Sequence, residues 1–392
     1  MSTFKHYVST FIILSCLFVQ AQSTLLELRN GQSSFDLGGK FYYLEDASGE
    51  LSLEDVSAPE VVPAFERVEA PNLNLGFTRS AVWLKFQLAA SSGDNWLLEL
   101  PYPLLDRIVV YALRGEGVET FLLGDQLPFN ARPLDYHTFL LPLELTSEPT
   151  DYFLRVTTQS SMQLRPRVVS GRDFFLNRSK REFVWGLLYG AILLMIVYNT
   201  FLYITTRDRS YLLYVLAAVS GTLFVLTLNG YTHQFIAPGA PGIANFLSPF
   251  TSSLWLLFTA LFAKAFLDVR AYAPRFTYVL NTLVGVGVIA TALAIVAPYF
   301  VAMQFTTIAA ILHGFMIAAT ASVCLARGHQ YARVFMLAWL GYGAGAAVLA
   351  LSRLGFIPDS FLSYHAGTFG ITVETIMLSF ALSEKYRYLS NE

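Results

Sequence analysis

Cysteine is almost missing from this chain: two, Cys16 and Cys324, stand among 392 residues, both in apolar runs. The polar stretch between them contains none, so disulfides cannot hold it together and a packed core must do so. Charge is scarce as well. Charged residues make up 14 % of the chain, where a soluble domain carries about a quarter. With 54 % hydrophobic and 15 % aromatic residues, the chain reads as embedded in a membrane. Several chemistries also lack a carrier. There is no G-x-S-x-G elbow, no H-E-x-x-H zinc helix, no paired-cysteine motif and no glycine-rich phosphate loop, so neither enzyme activity, cofactor, metal centre nor nucleic-acid partner is expected. A retinal Schiff base needs a lysine deep in a helix bundle. The last apolar run has none before Lys385, and Lys264 sits near the end of its own run, where its stem can snorkel.

What is present divides in two. Residues 23 to 182 hold 22 acidic against 15 basic side chains, and the remainder 6 against 11. Ahead of the acidic part, "MSTFKHYVSTFIILSCLFVQAQS" has Lys5 and His6 in a short polar start, an apolar core over 7–19, and small residues Val19 and Ala21 before a cut at Gln22. That pattern predicts a secretory signal peptide over 1–22; an uncleaved anchor helix is the alternative.

Residues 24–172 carry strand patterning. In "AVWLKFQL" (81–88), Val82, Leu84, Phe86 and Leu88 alternate with Trp83, Lys85 and Gln87, the period of two of a half-buried antiparallel strand. "NWLLELPYPLLDRIVVYAL" and "DYFLRVTT" add β-rich runs, separated by turn signals such as "SSGD", "RGEG" and "LGDQ". A β-sandwich or jelly roll over 24–172 is expected, with a linker at 173–182 joining it to the apolar second half of the chain.

From residue 183 the pattern changes. A helix needs roughly 20 apolar residues to cross a hydrocarbon layer of about 30 Å, and seven segments meet that test, in 183–205, 211–229, 244–267, 276–298, 301–325, 332–352 and 363–384. The expected fold is an α+β multidomain membrane protein, an exported all-β jelly-roll or sandwich domain followed by a seven-helix transmembrane bundle over 183–385. Residues 386–392 would start a cytoplasmic signalling helix. Seven crossings put the chain ends on opposite sides. The links that would then be cytoplasmic hold Arg207, Arg209, Arg270, Arg275, Arg327, Arg333, Lys385 and Arg387, whereas the outer links hold only Arg353. This is the positive-inside bias, and it makes "RDRS" (207–210) a tight inner turn in a protein of the bacterial inner membrane. Arg178, Lys180 and Arg181, just outside the first helix, run against the bias.

These stretches resemble a known family. "GFTRSAVWLKFQL" with "LLELPYPLLDRIVVYAL" looks like the periplasmic sensing domain of bacterial seven-transmembrane receptors with diverse intracellular signalling modules. "GLLYGAILLMIVYNTFLYITTRDRSYLLYVLAAVSGTLFVLTLNGYTHQFIAP" is similar to that family's first two membrane helices and "ITVETIMLSFALSEKYR" to its last. The Tyr198–Asn199 pair, the "RDRSYL" turn and the Asn229–Gly230 exit occur in the family's order. The resemblance covers about residues 30–388. It implies a carbohydrate-binding-module-like jelly roll that senses a ligand, helices that relay it, and a cytoplasmic kinase or cyclic-dinucleotide module that responds. Such receptors usually continue into a coiled coil and output domain, whereas Glu392 comes about eight residues past the last apolar segment. Two readings are open, a separate signalling partner or the sensory half of a longer gene.

Each half supplies candidate residues. On the polar face of the 81–88 strand, Arg79, Trp83 and Lys85 put a flat apolar ring between two cations, a way to stack a sugar or hold an anion; the competing reading is a Trp83 covered by a loop or a second sheet. Trp96 is a further ligand candidate of the same ambiguity. Asp106 and Arg107 are adjacent, point to opposite faces, and are expected to support the fold. In the helices, His313 and Glu374 lie at nearly equal depth. A charged carboxylate at mid-membrane costs at least roughly 2.5–3.5 kcal/mol, so Glu374 must face the interior, either as static hydrogen-bonding glue or in a contact with His313 that differs between signalling states. Asn199 is expected to bond between helices. Gly341 and Gly345 form a small-xxx-small pair that lets another helix approach, within the bundle or across a homodimer. The partners expected are an unidentified periplasmic ligand, carbohydrate-like by the resemblance, a cytoplasmic signalling protein or fused output domain, and membrane lipid. The function expected is a signal-transducing receptor; the alternative is a solute-capturing transporter or transporter accessory protein.

Overall fold

The computed structural model describes residues 25–28, 34–70, 72–90, 95–115, 117–330, 332–353 and 361–391. The expected signal peptide at 1–22 lies outside the described residues. The first half of the chain is all β apart from short helical turns. Its strands are β1 Leu25–Leu28, β2 Ser34–Asp36, β3 Tyr42–Asp46, β4 Glu66–Arg67, β5 Leu73–Phe77, β6 Ala81–Ala90, β7 Trp96–Leu100, β8 Arg107–Arg114, β9 Gly117–Leu123, β10 Phe139–Leu143, β11 Thr150–Thr157, β12 Ser161–Leu164 and β13 Arg167–Ser170. One sheet runs β4-β3-β6-β11-β8-β9, a second β10-β7-β13-β2, and β12 pairs with β5. β6 is central to the larger sheet. β3 covers its Ala81–Lys85 edge antiparallel and β1 continues along Gln87–Ala90 in parallel.

The alternation in β6 produces the core. Val82, Leu84, Phe86 and Leu88 point inward and meet Leu98 and Leu100 of β7, Ile108 and Val110 of β8, Leu154 and Val156 of β11 and Val168 of β13 in one buried cluster, so both sheets share one interior. Phe86 stacks on Tyr152 with ring centroids 5.7 Å apart. The other face of β6 is also covered, which the half-buried pattern did not predict. Between β3 and β4 the chain leaves the sheet, forms helix α1 (Leu53–Ser57) behind a capping box of Ser52 and Asp55, and lays Val56 and Phe65 over that face.

The expected linker at 173–182 does not exist as a linker. β13 ends at Ser170 and helix α2 begins at Gly171, running unbroken to Thr206. Gly171 N donates to Asn95 O at 2.7 Å, and a Cβ at Gly171 would lie 2.9 Å from that oxygen, so glycine permits the strand to pass straight into the helix. At 1.5 Å per residue, 36 residues extend about 54 Å, well beyond a hydrocarbon layer of about 30 Å. The excess is the more polar first part, whose Phe174 packs against Leu97, Tyr136 and Leu140 of the β domain.

The remaining long helices are α3 Arg209–Leu228, α4 Pro241–Phe266, α5 Phe276–Val296, α6 Tyr299–Ala326, α7 Ala332–Arg353 and α8 Ala366–Asn391. Among the described residues, six of the helices from α2 to α8 are long and apolar enough to cross a membrane, and α7 adds an apolar stretch over Ala332–Val348. These seven helices, six of them candidate spans, form the helical region expected after the all-β domain. "RDRS" is the tight turn expected between α2 and α3. Arg207 takes a left-handed φ of 58°, with its N–H on Tyr203 O at 2.8 Å, and Asp208 caps α3 by accepting from Ser210 N at 2.8 Å.

Candidate functional site

The four β-domain candidates do not converge. Trp83 has no exposed surface; its ring lies among Val56, Phe65 and Phe153 and stacks on Tyr111 at 5.9 Å. Trp83 does face away from the core cluster of β6, but the excursion through α1 closes over that face, so Trp83 offers no stacking platform. Lys85 is buried beside it, with its ammonium 5.3 Å from the Phe153 ring centre. Burial pushes the Lys85 pKa down, and Asp151 pulls it partly back. Trp96 belongs to the main core on β7. Arg79 goes elsewhere: its guanidinium sits 5.1 Å from the ring of Phe300, in the first turn of α6. Asp106 supports the fold, accepting from Thr158 Oγ1 at 3.0 Å and Gln126 Nε2 at 2.7 Å, while Arg107 is exposed.

In the helices the candidates are better connected. Asn199 Nδ2 donates to Met195 O at 2.8 Å and to Ser379 Oγ at 2.7 Å, tying α2 to α8. Gly341 and Gly345 bring α7 against α8. A Cβ at Gly341 would lie 3.0 Å from Val373 Cγ1, and one at Gly345 would strike the carbonyl oxygen of Ala366 and lie 2.9 Å from Gly370 Cα. His313 and Glu374 are both buried, and among the described residues no hydrogen bond or ion pair is seen between them. His313 Nε2 lies 2.9 Å from Thr259 Oγ1 instead, and Thr259 also lines the small void that holds Glu374, with Tyr214, Gly221 and Trp255. Thr259 of α4 thus bonds His313 and shares a void with Glu374.

The richest arrangement is the junction between β domain and helices, most of which reading the sequence did not single out. The β domain meets the helix ends nearest Gly171, Asn229, Pro238 and Tyr299. His137, between β9 and β10, packs against the α3 exit, its Nδ1 2.7 Å from Asn229 O and its ring 4.6 Å from that of Tyr231. A carbonyl only accepts, so Nδ1 carries the hydrogen. Burial, reinforced by Arg181, Arg132 and Arg178, drops the His137 pKa to about 3 against the pull of the Asn229 carbonyl, so the ring is neutral at neutral pH. Its Nε2, 3.8 Å from Glu182, consequently forms no ion pair; Glu182 accepts from Tyr231 OH at 3.1 Å. Gly230 adopts φ +79°, and a Cβ there would strike His137 O and lie 2.8 Å from Pro103 Cβ. Asn229 Nδ2 donates to Val225 O at 3.0 Å and Tyr189 OH at 3.2 Å, so the Asn–Gly exit clasps both the β domain and α2.

Two further contacts complete the seam. Asp125, at the end of β9, is buried and accepts from Asn245 Nδ2 of α4 at 3.4 Å. Burial, then Asp106, raises its pKa to about 8, against Asn245 and Arg132. Ser160 Oγ and Tyr299 OH, at the start of α6, are 2.7 Å apart, and Phe129 N donates to Pro238 O at 2.8 Å. Arg178 and Arg181, which ran against the charge bias, now have a place: the Arg178 guanidinium sits 5.1 Å from the Tyr136 ring and that of Arg181 5.1 Å from Phe174. They are packing cations of the seam. Behind them is a cavity of about 210 Å³ whose walls come from β7, the loop before β10, α2, the α3 exit and His365.

Comparison with known proteins matches both halves. Residues 181–385 match the family model described as 7TM diverse intracellular signalling, and residues 38–170 match the model described as 7TMR-DISM extracellular 2. No curated protein matches the chain. The family is a receptor or sensor type and is not a known enzyme family. With an all-β domain seated on apolar helices, and family models covering nearly all of both, the chain belongs to the 7TMR-DISM family of receptor-like membrane sensors with an extracellular domain.

Proposed function

We propose that this protein is a signal-transducing receptor of a bacterial inner membrane, with its β domain periplasmic and its C-terminus cytoplasmic. Ligand binding at or beside the β domain changes how that domain sits on the helix ends, and α8 carries the change to a cytoplasmic kinase or cyclic-dinucleotide module, fused or separate. The observation that carries this reading is the Asn229–Gly230 clasp. One short loop is held by the β domain through His137 and by α2 through Tyr189, and α2 is in turn bonded to α8 through Asn199 and Ser379. A displacement of the β domain thus has a bonded path to the last helix. The basic links at Arg207, Arg270 and Arg327 belong to the helix ends remote from the seam, which supports the orientation. The carbohydrate-like ligand expected from the resemblance stays a proposal, because Trp83 and Trp96 are buried and offer it no stacking surface.

The test joins a histidine-kinase output module after Glu392 and reads its phosphorylation in membranes. Wild type is compared with Gly230→Ala and His137→Ala at equal membrane abundance. A changed basal output in both variants supports the relay; unchanged output in both overturns it. Alkaline phosphatase fused at the 207–208 turn must be inactive, and activity there would reverse the orientation.

A further inference from the structure

From the seam cavity we infer that the protein binds a small organic anion there, a carboxylate or phosphate with a flat or apolar remainder, between the β domain and the first and last membrane helices. Charge comes first. Arg181 lines the cavity, and no hydrogen bond or ion pair to a carboxylate engages its guanidinium among the described residues. Its Nε and Nη2 are sealed from solvent with no hydrogen-bond partner, and its nearest rings are Phe174 at 5.1 Å and Tyr136 at 6.0 Å. The two other arginines that line the cavity are already paired. Arg167 Nη2 donates to Glu99 Oε2 at 2.8 Å, and Arg165 pairs with Asp36. His137 is neutral and so adds no charge of its own. Among the cations that line the cavity, Arg181 has no ion pair among the described residues, and its two sealed nitrogens lack the acceptors that an anion in the cavity would supply.

Shape and walls narrow the occupant. A volume of about 210 Å³ lies below the usual range of about 300–1,000 Å³ for drug-sized ligands. Pro103 and the ring of Trp185 supply flat apolar surface beside Arg181, and a guanidinium next to an aromatic wall suits an anion carried on a planar or short aliphatic group. Position gives the site its consequence. Trp185 belongs to α2, and its ring meets His365, just before α8, edge-on at 4.4 Å. An occupant would touch the β domain, α2 and the entrance to α8 together. The link to signalling rests on the receptor reading, but binding itself does not.

An anionic oxygen group could come from a soluble metabolite or from a lipid headgroup, and the experiment separates them. The full chain is placed in phosphatidylcholine nanodiscs and titrated with benzoate and with inorganic phosphate, following the unfolding midpoint and tryptophan fluorescence. Saturable stabilisation by either probe is expected, weakened about tenfold or more in Arg181→Gln, as loss of a charged hydrogen bond requires, and unchanged in the exposed neighbour variant Lys180→Gln. Nanodiscs containing phosphatidylglycerol test the second source: Arg181-dependent stabilisation there, with no further effect of benzoate, assigns the site to a lipid headgroup. If Arg181→Gln fails to fold, Arg181→Lys and Trp185→Phe carry the comparison, each with weakened binding expected. Stabilisation independent of Arg181 and Trp185, or none from benzoate, phosphate or phosphatidylglycerol, overturns the inference. Because no output is read, a failure here is distinct from failure of the relay.

Discussion

His137 of the β domain and Asn229 at the exit of α3 are joined by a hydrogen bond of 2.7 Å between imidazole Nδ1 and main-chain oxygen. The next residue, Gly230, could not carry a side chain without striking His137 O. The two halves of the chain therefore meet through main-chain geometry as well as through side chains, which makes the seam specific and breakable.

The first prediction concerns that geometry. Gly230→Ala combines a left-handed φ of +79° with a clash against the facing backbone, and is expected to cost about 1–3 kcal/mol. Thermal unfolding of the full chain in detergent checks this. Gly239→Ala, which meets nothing within 4 Å, serves as the comparison and should leave the midpoint nearly unmoved.

The seam's stability depends on pH in two opposing ways. An aspartate in the unfolded chain titrates near 4, whereas folded Asp125 keeps its proton to about pH 8. Between those values the folded state binds the extra proton, so this contribution is full below about pH 4 and declines as pH rises toward 8. His137 and His233 act oppositely, titrating near 6.5 when unfolded but at about 3 and about 4 when folded. Their contribution is present above about pH 6.5 and is lost on acidification. Chemical denaturation between pH 6.5 and 8 should show stability falling in the wild type, with a visibly shallower slope in Asp125→Asn. An unchanged slope would remove Asp125 from the account.

Within the helices, the bond from Asn199 to Ser379 can be weighed by a double-mutant cycle. Asn199→Leu and Ser379→Ala should couple by about 0.6–2 kcal/mol, and additive effects would mean that the contact contributes nothing to stability.

Trp83 separates a packing role from a binding role. Deleting a fully buried indole should cost about 3–5 kcal/mol, so Trp83→Ala is expected to destabilise the β domain outright. Trp83→Phe, which keeps most of the volume against Val56 and Tyr111, should recover most of it. A Trp83→Ala protein with wild-type stability would contradict the covering role of α1.

The class of this protein and the parity of its strands were legible in residue order. Val82, Leu84, Phe86 and Leu88 face the core as their alternation requires, because side chains in a strand point to opposite faces in turn. Long apolar runs located the helices to within a few residues, apart from the first, whose extra turns are polar enough to read as a linker. "RDRS" announced its own turn, since Asp208 is a good N-cap and Arg207 closes the preceding helix. The Arg178–Arg181 cluster was visible as an anomaly of charge, and nothing local could say what it faced.

What only the tertiary structure decided is which face of a strand or helix another part of the chain covers. Trp83 and Lys85 lie on the outward face of β6 in any reading, and a segment some twenty to thirty residues earlier in the chain closes over them. His313 bonds Thr259 of a third helix, and Thr259 shares a void with Glu374. The seam joins residues as far apart in sequence as His137 and Asn229, or Ser160 and Tyr299. Periodicity is a property of one element and survives in the sequence; coverage and juxtaposition belong to pairs of distant elements, and only the folded chain brings those together.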